Sequence, residues 1–297
     1  MRGDAWRCLV AGGNGGVGRL FAGLLAGAGH EVICVDVAPD SGQAGPGIRH
    51  LTGDIAAPDG EVGKLVGASE LVLLAVPERV ALAAVPRLAR SLRSRSLLMD
   101  TLSVKTRILE VYRGLDPGIE VLSLNPLFAP SLGINGRPIA AVAVSDGPRA
   151  RALRAELAVW GARVVPVEAA EHDRLTASLQ GATHAAVLSF GMALAAQGVD
   201  IALLRGLAPP PHLNCLALLA RMVTGTPEVY WDIQAGNPHA VQARRALADS
   251  LRRLSTVIEA GDEAEFQRIF SELSRFLGEH QSSLAETCAG IFGRLPC

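Results

Sequence analysis

Short apolar runs recur through the first half of the chain, and each ends at a polar or glycine-rich stretch. The run 71–76 is apolar throughout, as expected of a parallel strand that is covered on both faces. Segments with helical character separate the runs. This alternation predicts βαβ units and an α/β doubly wound sheet over residues 1–168. The predicted strands are 8–11, 31–36, 48–55, 71–76, 96–99, 121–124, 139–144 and 162–167, and the predicted helices are 19–28, 80–92 and 148–160.

The first strand leads into a glycine cluster that fits G-x-G-x-x-G and comes directly before a helix. We expect Gly13 to permit the sharp turn, Gly15 to let the backbone approach a pyrophosphate, and Gly18 to let the helix pack close to the strand. The N–H groups and partial positive charge of the helix N-terminus suit phosphates. The predicted cofactor-binding residues of this loop are Gly13, Asn14, Gly15, Gly16, Val17 and Gly18.

Asp36 ends the second strand, roughly 20 residues past the glycines, where the dinucleotide fingerprint has an acid that binds the ribose 2′-hydroxyl. Such a carboxylate repels a 2′-phosphate, and Val37 and Ala38 offer no arginine for one, so NAD is favoured over NADP. Ligands of such sheets bind beyond the carboxyl ends of the strands. We therefore predict a Rossmann-like domain with Val76 and Pro77 at the cofactor. A glycine-rich loop without function is the alternative.

The pattern changes after residue 168. Residues 169–198 have the length and period of one long helix, and three consecutive prolines at 209–211 end the next segment. Further helices are predicted at 212–224, after Asn237-Pro238 as cap and first turn, and after Asp262, which has capping-box spacing to Glu265. We predict an all-helical second domain over 169–297. Behind a dinucleotide-binding domain it favours an intertwined homodimer, with a monomer carrying a helical cap as the alternative.

Composition excludes several classes of function. A net charge of −1 gives no basis for a nucleic-acid partner. Five cysteines without C-x-x-C spacing, and an N-terminal apolar run broken by glycines, indicate a cytoplasmic protein with reduced thiols. No unbroken apolar run reaches about 18 residues, so we predict no membrane span. Glu171, His172 and Asp173 have the character of a charged helix start and lack H-x-x-x-H spacing, so no metal site is predicted. A G-x-S-x-G hydrolase motif is absent from the sequence.

Five stretches in order along nearly the whole chain carry a resemblance. They are DTLSVK at 100–105, NPLFAP at 125–130, WGAR at 160–163, EHD at 171–173 with Gln180 and His184, and Arg221 ahead of PEVY at 227–230. Together they resemble the prephenate/arogenate dehydrogenase family. The resemblance implies a Rossmann-like domain, a helical dimerisation domain, and NAD(P)-dependent oxidative decarboxylation of a cyclohexadienyl dicarboxylate.

The resemblance also implies roles for single residues. Arg221 would bind the ring carboxylate, and His184 and Gln180, one helical turn apart, would line the substrate cleft. Ser103 and Lys105 would orient the catalytic position and the substrate or cofactor. The alternatives are a surface arginine, a core histidine, a helix N-cap at Ser103 and a solvated lysine.

Asn125 departs from the family, which has a histidine at this position. That imidazole accepts the proton of the substrate's 4-hydroxyl as hydride departs, whereas an amide cannot take a proton near neutral pH. An amine donor needs less help, and the Asn125 oxygen can orient it. We therefore expect 4-amino-4-deoxyprephenate as substrate, giving 4-aminophenylpyruvate for natural-product biosynthesis. A prephenate dehydrogenase giving 4-hydroxyphenylpyruvate and a catalytically impaired NAD-binding homologue are the alternatives.

Two further departures concern the side chain of the substrate. Arogenate-type members tend to carry an acid at the position of Ser131, so a keto-acid side chain is expected here. Leu213 stands near a position where some members have an arginine, which leaves the second carboxylate without an assigned partner. A generic hydroxyacid or imine reductase would carry a catalytic lysine or aspartate on the helix 169–198, which has no lysine and has Asp173 at its start.

Overall fold

The computed structural model describes residues 5–39, 42 and 45–295. It divides the chain into two compact units. The sheet unit comprises Met1–Thr176 and Trp231–Pro238, and the helical unit comprises Ala177–Tyr230 and His239–Cys297. The division differs from the predicted boundary at 168, because the segment up to Thr176 is hydrogen-bonded within the sheet unit. Asn237 belongs to the same unit, where its side-chain amide donates to the carbonyl of Asp173 at 2.8 Å.

The sheet unit is built on one sheet. Its strands among the described residues are β1 (Arg7–Ala11), β2 (Glu31–Asp36), β3 (Ile48–Thr52), β4 (Leu71–Leu74), β5 (Leu97–Asp100), β6 (Glu120–Pro126), β7 (Pro138–Ser145) and β8 (Arg163–Pro166). Their order is β3-β2-β1-β4-β5-β6-β7-β8. The first six are parallel, and β7 runs antiparallel to β6. The order reverses between β1 and β4, which is the place where such sheets bind ligands.

Helices cover both faces of this sheet. They are α1 (Gly16–Gly27), α2 (Gly60–Ala68), α3 (Glu78–Leu88), α4 (Thr106–Tyr112), α5 (Pro148–Val159) and α6 (Ala169–Thr176). Phe21 of α1 and Leu153 of α5 belong to the core on one face, and Val85 of α3 and Ile108 of α4 to the core on the other. Burial on both faces explains the uniformly apolar strands. The predicted doubly wound α/β fold is confirmed.

Within the described residues the helical unit consists of a π-helical turn, seven α-helices and a 3-10 turn. They are the π-helical turn Ala177–Ala182, then α7 (Thr183–Ala196), α8 (Ile201–Leu207), α9 (Pro210–Val223), α10 (Pro227–Trp231), α11 (Ala240–Glu259), α12 (Glu263–Leu277), the 3-10 turn Gly278–His280 and α13 (Gln281–Phe292). The all-helical character was predicted, whereas α8, α10 and α13 were not. Asp262 caps α12 by accepting the N–H of Glu265 at 2.9 Å, as its spacing predicted. The predicted cap at Asn237 is wrong, because α11 begins three residues later.

The predicted long helix is present, but a π-helical turn interrupts it. By length and apolar composition alone, Ala169–Ala196 is the one helix in the described part of the chain that is long enough to cross a membrane. The apolar runs in the sequence predicted no membrane span. Its first turns carry His172 and Asp173, which are buried and hydrogen-bonded inside the sheet unit. Only these first turns and the π-helical turn contain buried residues, whereas α7, the remainder of the span, has none.

Candidate active site

The glycine loop after β1 makes its turn at Gly12, where φ is +80°. The prediction that Gly13 makes this turn is wrong, since only a residue in the left-handed region needs to be glycine for that reason. A Cβ on Gly12 would also lie 2.2 Å from the carbonyl oxygen of Ala75. Gly13 is needed for a different reason, because its Cβ would lie 2.4 Å from that of Cys34 on β2.

The start of α1 is shaped to receive a phosphate. A Cβ on Gly18 would lie 2.0 Å from the carbonyl oxygen of Gly12, so only glycine lets the helix approach the loop this closely. Gly15 caps α1 without a side-chain hydrogen bond. Gly15 and Gly16 are exposed, and Val17 is half-buried. The N–H groups of the first turn are therefore presented beside bare backbone, which fits a pyrophosphate.

Asp36 lies at the end of β2 with its carboxylate fixed at the edge of this loop. It accepts the backbone N–H of Asn14 at 3.0 Å and that of Ala38 at 3.0 Å. The Asn14 side chain donates to the carbonyls of Ala38 and Pro39. The fingerprint acid and the glycine loop are thus one hydrogen-bonded assembly, as dinucleotide binding requires.

Two further segments border the loop. Val76 and Pro77 follow β4, and the Cγ1 atom of Val76 would lie 3.1 Å from a Cβ on Gly12. A 3-10 turn, Pro130–Leu132, contains Ser131, which is exposed. Pro130 lies 3.4 Å from the position a Cβ of Gly16 would take. The segment after Asn125 therefore lies against the phosphate-binding helix start.

Lys105 is wholly buried beneath the strand ends. Its ammonium group donates to the carboxylate of Asp100 at 3.1 Å and to the carbonyls of Leu102 and Leu124 at 2.7 Å each. All three N–H groups thus have protein acceptors, so the group positions the ends of β5 and β6. The alternative of a solvated lysine is wrong, because Lys105 is 0% exposed. The predicted role of Lys105 in orienting the catalytic position and the substrate or cofactor stays a prediction.

The pair of Lys105 and Asp100 extends to Tyr112, whose hydroxyl donates to Asp100 at 2.7 Å. Burial lowers the pKa of Lys105, against the opposing effect of Asp100. Burial, and then the charge of Asp100, raise the pKa of Tyr112. Ser103 lies half-buried in the same loop, and α4 begins at Thr106, so Ser103 is not its N-cap.

Asp173 caps α4 from a distant part of the sequence. Its carboxylate accepts the N–H of Lys105 at 2.9 Å, the N–H of Thr106 at 2.8 Å and the hydroxyl of Thr106 at 2.6 Å. Burial alone would raise the pKa of Asp173, but hydrogen bonds from His172, Thr106 and the Lys105 backbone outweigh it and lower the pKa. The carboxylate is therefore ionised near neutral pH.

His172 joins this carboxylate to Asn125. Its Nδ1 lies 2.8 Å from Asp173 Oδ1, and its Nε2 lies 3.2 Å from Asn125 Nδ2. His172 and Asn125 are each 1% exposed. Burial lowers the pKa of His172, against the hydrogen bond to Asp173. His172 and Asp173 lie at the start of α6, as predicted, but they are buried and hold the site together through hydrogen bonds instead of forming a solvated charged surface. The EHD motif that contributed to the resemblance was the signal for them.

The helical unit holds the remaining predicted residues. His184, at the start of α7, packs edge-on against Tyr230 with ring centroids 5.0 Å apart. Burial, and then the charge of Arg221, lower the pKa of His184, so the guanidinium lies close enough to act on it. Arg221 is exposed in the last turn of α9. Gln180 lies in the π-helical turn, so its predicted α-helical spacing to His184 does not hold.

Comparisons with known proteins identify relatives of this chain. Residues 168–272 match the prephenate dehydrogenase dimerization domain. The chain is 51% identical over 297 residues to a 4-amino-4-deoxyprephenate dehydrogenase of Streptomyces pristinaespiralis, covering 99% of this chain and 100% of that protein. It is 26% identical over 279 residues to a probable arogenate/prephenate dehydrogenase of Methanocaldococcus jannaschii, covering 91% of this chain and 60% of that protein.

The fold has a solved counterpart. The crystal structure of prephenate dehydrogenase from A. aeolicus in complex with hydroxyphenyl propionate and NAD+ matches with a TM-score of 0.72 and 18% identity. The match covers 93% of this chain and 99% of that one. With a full-length relative at 51% identity, the chain belongs to the prephenate dehydrogenase family, as the sequence motifs predicted.

Proposed function

We propose that this protein is an NAD-dependent dehydrogenase that converts 4-amino-4-deoxyprephenate into 4-aminophenylpyruvate, carbon dioxide and NADH. The observation that carries the proposal is Asn125, an amide at the carboxyl end of β6 beside a buried histidine. The name of the relative with 51% identity supports the same substrate.

An amide suits an amine substrate better than a hydroxylated one. The substrate loses hydride from the ring carbon that carries its donor group, and the donor's lone pair stabilises the developing cation. Loss of carbon dioxide then makes the ring aromatic. A hydroxyl donor must give up its proton, and a missing base costs about 10²- to 10⁴-fold in rate. A neutral amine donates its lone pair more strongly, so a hydrogen bond to the Asn125 oxygen is sufficient.

The glycine loop and Asp36 fit NAD, which supplies the hydride acceptor when bound. Side chains at Gly12, Gly13 or Gly18 would collide with neighbouring protein atoms, so these glycines keep the loop tight against β2 and α1. The exposed backbone of Gly15 and Gly16 is then open to close approach of the pyrophosphate. The carboxylate of Asp36 would bind the ribose 2′-hydroxyl and repel a 2′-phosphate. Val37 and Ala38 bring no positive charge to this place, which favours NAD over NADP.

The helical unit would bind the ring carboxylate through Arg221. A guanidinium binds a carboxylate with two parallel hydrogen bonds, and Arg221 is exposed on α9. His184 and Gln180 would line the substrate cleft together with Arg221. Ser131 has no charge to pair with an amino group, so the side chain of the substrate is a keto acid.

The proposal includes a homodimer formed through the helical unit. Large apolar side chains are exposed along α12, where Phe270, Leu273 and Phe276 recur at helical spacing. Apolar patches of this kind mark protein–protein contacts. The match of residues 168–272 to a dimerization-domain model supports a homodimer, and this range includes Phe270 but ends before Leu273 and Phe276.

The compartment proposed for the enzyme is the cytoplasm. Among the described residues, Cys8, Cys34, Cys215 and Cys288 form no disulfide bond. Reduced thiols are usual in that compartment.

The direct test is to incubate the purified protein with NAD and 4-amino-4-deoxyprephenate and to quantify the products. We expect NADH, carbon dioxide and 4-aminophenylpyruvate in equal amounts. If NAD binds but none of these forms, the catalytically impaired alternative replaces the proposal. If NADH forms without carbon dioxide, the protein is a dehydrogenase of another class.

A further inference from the structure

The imidazole of His172 lies between the carboxylate of Asp173 and the carboxamide of Asn125, and chemistry fixes the direction of both hydrogen bonds. An ionised carboxylate only accepts, so the Nδ1–H of His172 donates to Asp173 over 2.8 Å. A neutral imidazole carries one proton, which leaves Nε2 as an acceptor. Asn125 Nδ2, at 3.2 Å, is then the donor to it.

We propose that His172 is a positioning residue that fixes the Asn125 carboxamide with its oxygen directed toward the amine of the substrate. A carboxamide can present either N–H donors or an oxygen, and its neighbour decides which. Since Nδ2 is turned to His172, the oxygen Oδ1, which can only accept, points away from the imidazole. The inference rests on the proposed function, because it assigns the substrate amine to this oxygen.

A hydrogen-bond acceptor beside the substrate amine favours loss of hydride from the ring. An oxygen that accepts an N–H from the amine increases electron density on nitrogen and leaves its lone pair directed into the ring. A carboxamide turned the other way would donate to that lone pair and oppose hydride loss. The orientation of one amide therefore distinguishes a productive site from an inhibitory one.

Burial is the main cause that keeps the ring of His172 neutral, because it lowers the pKa of the ring. The charge of Lys105 at the start of α4 acts in the same direction, whereas Asp173 on the same helix and Asp100 on β5 raise the pKa. A protonated ring would set its Nε2–H against the N–H groups of Asn125 and force the amide to rotate. Activity should therefore fall at acid pH as this ring is protonated.

Two substitutions separate positioning from packing. His172→Gln places an amide oxygen near the position of Nε2, where it can still accept from Asn125. His172→Asn places an amide nitrogen near the position of Nδ1, where it keeps the bond to Asp173 but cannot reach Asn125. We expect kcat with 4-amino-4-deoxyprephenate to stay within about threefold for the first and to fall at least about tenfold for the second, with KM for NAD unchanged in both. Equal losses would overturn the proposal.

A double-mutant cycle gives a readout that a structural role would not move. In an Asn125→Ala background, His172→Asn should change kcat by less than about twofold, because the amide that it positions is gone. Additive effects would overturn the proposal. His280, which is exposed, provides the matched control, since His280→Asn should leave kcat unchanged.

A measurement on the unmutated protein avoids any dependence on folding of the variants. The ¹⁵N signals of His172 in the NAD-bound enzyme should show the neutral Nδ1–H tautomer near neutral pH. An Nε2–H tautomer or a charged ring would overturn the inference. If the wild-type enzyme does not oxidise the amine substrate, the proposed function fails, whereas additive variants in an active enzyme contradict only the role of His172.

Discussion

The ammonium group of Lys105 lies 2.7 Å from the carbonyl oxygen of Leu124, the residue directly before Asn125. The same group pairs with Asp100, and neither side chain is exposed. A fully buried charge thus joins the carboxyl end of β5 to that of β6. The backbone that carries Asn125 is held in place by this bond.

Lys105→Met should destabilise the protein strongly, because the carboxylate of Asp100 would remain buried without its partner. Breaking a buried pair in this way costs about 3–5 kcal/mol. Urea unfolding measures the loss. Lys64→Met is the matched control, since Lys64 is exposed, and it should change stability by no more than about 0.5 kcal/mol. Equal effects of the two substitutions would show that the buried pair is not what stabilises this region.

Gly18→Ala should impair NAD binding. The new methyl group would lie 2.0 Å from the carbonyl oxygen of Gly12, so the loop or the helix start must move. We expect the dissociation constant for NAD to rise at least about tenfold, or about 1.4 kcal/mol, in a fluorescence titration. Gly23→Ala makes the same exchange in α1 with nothing within 4 Å of the new atom. NAD affinity should then be unchanged. If Gly23→Ala also weakened NAD binding, the assignment of the Gly18 loop as the NAD site would be contradicted.

Acid should destabilise the protein through its buried histidines. His172 and His184 both have a lowered pKa in the folded state. Below about pH 6.5 the unfolded chain binds protons at these rings that the folded chain does not, so the free energy of unfolding decreases as pH falls through that value. His172→Gln should reduce this pH dependence between about pH 8 and about pH 5.5, measured by urea unfolding at equal protein concentration. An unchanged dependence would show that His172 is not one of its sources.

Phe276→Ser should weaken the proposed dimer. The side chain is 83% exposed on α12, and burying a phenylalanine contributes about 1.5–3 kcal/mol. Sedimentation equilibrium should give twice the chain mass of 31.0 kDa for the wild type and a dissociation constant at least about tenfold higher for the variant. Val159→Ser is the control, since Val159 is 84% exposed in the sheet unit. A monomeric wild type would refute the dimer.

The sheet, the glycine loop and Asp36 were predictable because their signals are local. An apolar run, a glycine spacing and an acid roughly 20 residues later lie within one short segment. The prediction that Gly13 makes the sharp turn was wrong, because the spacing of the glycines does not determine which of them adopts a positive φ. The short helices α2 and α4 were not predicted. Glycines interrupt the helical pattern of apolar residues in α2, and α4 has only 7 residues, too few to show such a pattern.

The hydrogen bonds that hold Asn125 in place were not predictable from the pattern of apolar and polar residues. Asp173 meets Lys105 across 68 positions of sequence, and His172 meets Asn125 across 47. A charged motif at a helix start is usually solvated, and only the packing of α6 buries this one. The alternative of a solvated Lys105 was wrong for the same reason. The role of Asn125 itself came from comparing one position with the family motif.

The measurement that tests the central claim most directly is the initial rate of NADH formation with 4-amino-4-deoxyprephenate and, in parallel, with prephenate. We predict that the amine is oxidised at least about tenfold faster, because Asn125 cannot take the proton of a hydroxyl. Asn125→His should shift the preference toward prephenate. If the wild type oxidises prephenate faster, the amide does not select the substrate, and another group must serve as the base.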